Sequence, residues 1–176
     1  MTICKFSITA EQPHHKPEIE SLLDAVFGLS RRVKTSYRLR EGERPVDGLS
    51  FVALEPGRGV VGAISFWHVF IGEAGFPALL LGPLAVAPDL QGVGIGRSLI
   101  KLGLEKARAL KAQLVILVGD EPYYGKAGFR KVPEDQLTLP GPVDPNRLLY
   151  LELEDGALAQ AKGLVLPPHR FHYKRA

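Results

Sequence analysis

The stretch that most constrains this chain runs from residue 78 to residue 111. A continuous apolar run, Ala78 to Ala87, leads into Pro88-Asp89-Leu90-Gln91-Gly92-Val93-Gly94-Ile95-Gly96-Arg97-Ser98. A helical pattern follows to Lys111, with Arg97, Lys101, Glu105 and Arg108 on a wet face and Leu99, Ile100, Gly103, Leu104 and Ala107 on a buried one. An apolar strand therefore passes through a glycine turn straight into a helix. Such a turn aims free backbone N–H groups in one direction, at the positive end of the helix dipole. It is an anion site, most commonly a phosphate site.

Spacing decides which phosphate loops are excluded. A dinucleotide fingerprint requires Gly-x-Gly-x-x-Gly. Counted from Gly92 the last position is Arg97, and counted from Gly94 it is Leu99, so both frames fail. A P-loop requires a glycine five residues before the Gly-Lys-Ser/Thr end. Gly96-Arg97-Ser98 has Gln91 at that place and arginine for lysine. Gln91-x-x-Gly94-x-Gly96 does fit the Arg/Gln-x-x-Gly-x-Gly/Ala loop, and it resembles the pyrophosphate loop of the GNAT superfamily of N-acetyltransferases. A second element, Tyr124-x-x-x-Gly128-Phe129, is similar to the family's tyrosine on a short helix followed by Gly-Phe and a strand. The wording Leu-Gly-Pro-Leu-Ala-Val and Gly-Asp-x-x-Tyr-Tyr resembles the YhbS-like branch. The resemblance is specific over residues 50–130 and loose elsewhere.

The resemblance implies an α/β fold with a mixed, mostly antiparallel central sheet, splayed strands and flanking helices. It implies acetyl-CoA as co-substrate, with no metal. The loop residues Gln91, Gly92, Val93, Gly94, Ile95, Gly96 and Arg97 would hold the pyrophosphate, Arg97 being either a phosphate cation or a solvent-facing helix charge. Backbone groups of Leu84, Ala85 and Val86 would bind pantetheine and the thioester carbonyl. Tyr124 would serve as general acid to the leaving thiolate, with a packing aromatic as its other reading. Tyr123 is read as packing and Asp120 as a helix cap. Ala78 to Val86 contains no acid where many members carry a glutamate. Either an ordered water chain deprotonates the amine or a residue elsewhere does, with His68, Glu73 and Glu43 as candidates. In the family the segment after the first helix walls the acceptor groove. Here Arg31, Arg32, Lys34, Arg38, Arg40 and Arg44 outnumber Glu41 and Glu43. Such a wall is expected to repel polycations such as spermidine and to favour neutral or anionic amines, for example amino acids or acidic peptide ends through their carboxylates.

Around that motif the chain reads as one domain, residues 1–176, long enough to bury a core. Cys4 is the only cysteine, so no internal disulfide is possible, and its alternating surroundings predict a structural thiol in a strand over 3–9. Pro17 opens a helix whose stripe is Ile19, Leu22, Leu23, Val26 and Phe27, with Gly28 as its stop. Residues 29–48 read as a loop with a short helix near 33–39. Phe51–Leu54 and Val60–Phe70 form a hairpin across Glu55–Gly59, and Ala78–Val86 and Leu114–Val118 are buried strands. Strands at Leu148–Leu153 and Gly163–Leu166 follow Pro-rich loops over 133–146.

A net charge of +3 gathers only in the 31–44 segment and in His169–Arg175, with Tyr37 the sole interleaved aromatic of the first, which disfavours nucleic acid. The longest apolar run is about half of the ~20 residues a membrane-spanning helix needs, and no signal core opens the chain. A cytoplasmic protein is expected. The leading functional reading is N-acetyl transfer to a small-molecule or protein amine. The alternative is a non-catalytic GNAT-fold module that binds CoA or acyl-CoA as a sensor or partner-binding protein. Homodimerisation stays open.

Overall fold

The computed structural model describes residues 5–175, with side chains up to His172. The strand placement expected for Cys4 lies outside the described residues. The described part of the first strand is β1 (Ser7–Ala10), followed by α1 (Lys16–Phe27) and the short helix α2 (Thr35–Arg38). Strands β2 (Ser50–Glu55), β3 (Gly59–Ile71) and β4 (Phe76–Val86) come next, then α3 (Ile95–Ala109) and β5 (Leu114–Val118). The chain continues through α4 (Glu121–Tyr124), β6 (Arg130–Lys131), β7 (Leu137–Thr138), β8 (Leu148–Glu152), α5 (Ala157–Gln160), β9 (Gly163–Leu166) and α6 (Pro168–Arg175).

One sheet runs in the order β1-β2-β3-β4-β5-β8-β6, with β9 beside the far end of β3 and β7 beside β9. Pairing is antiparallel except between β4 and β5, which α3 joins, and between β7 and β9. The β4–α3–β5 crossover is what the glycine-loop sequence anticipated. Strand β6 is the one that the resemblance places after Gly128-Phe129, whereas β7 and the pairing of β9 with β3 were not anticipated. Both β6 and β7 have two residues, too short to carry a periodic signal of their own.

Both sheet faces are covered, which explains the unbroken apolar strands. Leu79, Leu81, Val115 and Leu117 join a core with Ile19, Leu22 and Leu23 of α1 and Leu99, Ile100 and Leu104 of α3. Their alternating neighbours Ala78, Leu80, Leu114 and Ile116 join a second core with Leu39, Leu137, Leu158 and Val165 on the opposite face. The period-2 alternation of strand side chains thus serves two apolar layers at once.

Two glycines set how closely α3 lies on the sheet. A Cβ at Gly103 would stand 2.5 Å from the Phe66 ring, and one at Gly62 would stand 2.8 Å from Ile95 Cγ2. Phe66 is fully buried in β3, so it has no room to yield. Gly103→Val is therefore expected to destabilise the fold by about 1–3 kcal/mol through overpacking. Urea unfolding checks this. A midpoint equal to that of the unmodified protein would mean that α3 moves away from Phe66 freely.

Candidate functional site

Strand β4 loses its β5 neighbour halfway along. The parallel pairing consists of Leu79 with Val115 and Leu80 with Ile116, and it stops there. On its other side β4 shifts register against β3, so that Phe66 faces Leu81 and Ile64 faces Leu84. The bulge sets Gly82 and Pro83 against the single residue Ser65. Proline has no N–H for a ladder, and a bulge bends the strand that carries it. Trp67 Nε1 donates to the Gly82 carbonyl at 2.6 Å and takes up one group that the bulge frees. Beyond it, the edge of β4 that faced β5 has no strand partner. Burial records the same change. Ala78–Leu81 are buried, whereas Leu84 and Val86 are only partly so. The expectation of a strand buried throughout therefore holds for the first half of β4 alone.

A cleft of about 1100 Å³ opens into this gap. Leu84, Val86, all of residues 91–97, Val26, Phe27, Tyr123 and Tyr124 line it. Ala85 is not part of the lining, because its side chain turns into the core. In α1 the stripe splits: Ile19, Leu22 and Leu23 are buried, while Val26 and Phe27 reach the cleft.

The loop has the geometry of an anion cradle. Gly92 and Gly94 have φ of 88° and 99°, the left-handed region that favours glycine. The first helical bond is Ser98 N–H to the Gly94 carbonyl at 3.0 Å, and the amides of residues 92–97 donate to no backbone carbonyl of the described residues. A Cβ at Gly94 would meet nothing within 4 Å, so the loop backbone stands open to the cleft. Gln91 turns its Nε2 toward the Val86 carbonyl at 3.4 Å, which ties loop to strand. Arg58 holds Asp89 through both its terminal nitrogens, at 2.8 and 2.7 Å, and so fastens the turn before the loop to the β2–β3 hairpin. Arg97, Lys101, Arg108 and Lys126 bring positive charge to the cleft, with Glu105 as the acid among its lining residues. The cradle and its cations can hold an anionic group, and the open strand edge can pair an extended arm beside it.

The tyrosine motif explains itself in contacts. The Tyr124 ring lies over Gly119, where a Cβ would overlap it, and packs edge-on to Phe129 with centroids 6.0 Å apart. Gly128, at φ 100°, turns the chain so that Phe129 enters the core. Burial, reinforced by Tyr123 and Asp120, holds the Tyr124 hydroxyl well above the usual tyrosine range, so it stays protonated at neutral pH.

Tyr123 departs from its packing assignment. It is 45% exposed and stands perpendicular to Tyr124, with its hydroxyl over Gly96 at the start of α3. Burial raises its pKa and Arg97 opposes the rise. Asp120 also departs from its assignment. It precedes α4 but makes no side-chain cap, and its Oδ1 instead accepts from Arg147 Nε at 3.2 Å.

A second cavity, about 260 Å³, lies on the far side of Tyr124. It shares Phe27, Leu84, Tyr123 and Tyr124 with the cleft, so the two meet there. Gly82, Pro83, Arg31, Lys34, Arg40, Asp120 and Arg147 complete most of its wall. Of the six cations expected on this wall, Arg31, Lys34 and Arg40 line the cavity and Arg32, Arg38 and Arg44 do not. None of the three candidate bases lines either cavity. His68 is exposed on β3, Glu73 sits in the β3–β4 turn, and Glu43 accepts from the backbone and ring of His169. Arg147 escaped sequence reading altogether, because it enters from the β8 side, far along the chain.

Residues 47–131 match the model of the acetyltransferase (GNAT) domain. Over 138 residues the chain is 33% identical to the N-acetyltransferase YjhQ of Escherichia coli K12, covering 77% of this chain and 76% of that one. The crystal structure of the GNAT family N-acetyltransferase YhbS from Escherichia coli in complex with CoA superposes with a TM-score of 0.81 at 26% identity, covering 98% of this chain and 94% of that one. A GNAT family acetyltransferase from Brucella melitensis, solved with acetyl-CoA, gives 0.62 at 30% identity over 85% and 97%. With the splayed β4–β5 pair and the glycine cradle, these likenesses establish that the chain belongs to the GNAT family of acetyltransferases.

Proposed function

We propose that this protein transfers the acetyl group of acetyl-CoA directly to a primary amine while both substrates are bound. The observation that carries the reading is the position of Tyr124, a half-buried tyrosine with a protonated hydroxyl where the cleft and the second cavity meet. The two relatives solved with CoA and acetyl-CoA support the choice of ligand for the larger cleft.

Acetyl-CoA would supply the activated acetyl thioester. The amides of residues 92–97 would bind its pyrophosphate, and Arg97, Lys101 and Lys126 would add charge beside it. The open edge of β4 over Leu84, Ala85 and Val86 would hydrogen-bond the pantetheine arm and orient the carbonyl. Tyr124 Oη would give its proton to the departing sulfur. Asp120 is the carboxylate among the residues that line the second cavity, and Arg147 already holds it. The cations of the same wall disfavour an ammonium ion and so favour the neutral, nucleophilic amine. Water then suffices to carry the proton away.

Three results test this. Gly94→Val should remain folded, since its Cβ meets open space, although the left-handed φ costs about 1–2 kcal/mol. Its side chain would stand over the cradle, and CoA affinity should fall at least about tenfold, equivalent to one hydrogen bond to a charged group. Calorimetric titration of CoA reads this, and unchanged affinity in the folded variant would move the pyrophosphate elsewhere. Tyr124→Phe should lower kcat by about 10²–10⁴-fold while acetyl-CoA affinity barely changes, measured as thiol release. A wild-type rate would leave Tyr124 a packing residue.

The pH profile follows from the direction of the Tyr124 shift. A hydroxyl held above its ordinary value of about 10 keeps its proton at pH 7–9, so activity should rise with deprotonation of the amine and show no loss below about pH 10. An alkaline loss beginning at pH 8 that disappears in Tyr124→Phe would contradict the upward shift of Tyr124. A module that binds CoA without turnover would give the calorimetric result and release no thiol with any amine.

A further inference from the structure

We infer that the second cavity binds an amine that carries a carboxylate, with Arg40 as the carboxylate's anchor. This rests on the acetyltransferase reading above and narrows its acceptor to a small amino acid-like amine.

The argument begins with how the four cations of the cavity are engaged. Arg31 is spent: its Nη2 donates to Glu20 at 2.6 Å and its Nε to Asp24 at 3.1 Å. Arg147 donates to Asp120. Lys34 is exposed and stands 5.4 Å above the Phe27 ring. Arg40 differs from all three. Its Nε donates to the Ser36 carbonyl at 3.2 Å, and its guanidinium lies 5.4 Å from the Tyr37 ring and 5.9 Å from the Trp67 ring. No carboxylate of the described residues pairs with it, and no acceptor of the described residues meets its terminal nitrogens.

Burial, joined by Arg31 and opposed by Tyr37 and Glu20, lowers the pKa of the half-buried Arg40 to about 10, so it is charged at neutral pH. A cation held that way lacks a direct carboxylate partner among the described residues, Glu20 acting on it only from a distance. An arriving carboxylate would meet a planar fork suited to two parallel hydrogen bonds. The fork is also held in place. Trp67, one of its two aromatic platforms, is itself pinned by the hydrogen bond from its Nε1 to the Gly82 carbonyl at the β4 bulge. The feature that opens the strand edge therefore also positions the anchor.

Size points the same way. At about 260 Å³ the cavity lies just below the roughly 300–1,000 Å³ range of drug-sized ligand sites. It suits a ligand of amino-acid dimensions. An amine tethered at Arg40 by its carboxylate stays within the one cavity that Tyr124 also lines. Polyamines have no anchor there and meet net positive charge.

The experiment compares amino acids with their decarboxylated amines, phenylalanine with phenethylamine and lysine with cadaverine among them. Thiol release gives kcat/KM for each pair, in the unmodified protein, Arg40→Gln and Arg40→Lys. Within each accepted pair the carboxylate-bearing amine should lead by at least about tenfold. The lead should collapse toward one in Arg40→Gln, through KM, and return in part in Arg40→Lys. If Arg40→Gln does not fold, Arg40→Lys retains the charge and loses the fork, and the lead should still shrink several-fold. Equal use within pairs, a lead for polyamines, or a lead that survives both variants overturns the inference and leaves the acetyltransferase reading intact. A second measurement separates the opposite case. The N-acetylated amino acid and its decarboxylated counterpart are titrated into the CoA-saturated protein by calorimetry. Arg40-dependent binding of the former without any turnover would sink the enzymatic reading and retain the anchor.

Discussion

Between Leu81 and Val86, strand β4 keeps β3 on one edge and has no strand on the other. Unpaired backbone groups are costly inside a protein, so such an edge must face water or a ligand. Everything at the site takes its place from this parting. The Gly82–Pro83 bulge removes a donor and turns the strand, Trp67 secures the turned segment, and α3 fills the space beneath it. Close seating of α3, through its own Gly103 against Phe66 and through Ile95 over Gly62, brings the helix start, with its free amides, to the mouth of the gap. A helix held farther away would leave the cradle and the strand edge too far apart to serve one molecule.

The second organising feature is how charge is distributed across the two cavities. Around the cleft, cations stand at the start and along the wet face of α3 and on the Tyr124 turn, where a polyanion would meet them. Around the smaller cavity the arginines are mostly engaged with acids, Arg31 with Glu20 and Asp24 and Arg147 with Asp120. The exposed Arg58–Asp89 pair serves geometry more than stability, because solvent screens it. It joins the hairpin to the turn from which the loop departs.

Much of this was open to sequence reading where the signal is local. The loop spacing, the amphipathic face of α3, the end of α1 at Gly28 and the β2–β3 hairpin each depend on neighbours within a few turns of chain. The GNAT likeness rested on such local patterns. The failures are equally physical. Asp120 looked like a cap because caps are sequence-adjacent, but its partner Arg147 is 27 residues away. Tyr123 looked like packing because nothing adjacent showed that Gly96 would lie beneath its hydroxyl. The three proposed bases were chosen by segment, and all three side chains lie outside both cavities.

The amino-acid sequence by itself determined the longer elements and their order, because periodicity, glycine placement and helix ends act at short range. It also determined the glycine turn with its free amides, since such a turn needs no distant residue to point them the same way. Only the tertiary structure decided which of six cations on one segment would face a cavity, and which of those would be left without an acid. That outcome depends on long-range packing of α1, the 29–40 segment, β3 and the 147 turn around one strand edge, and no local pattern encodes it.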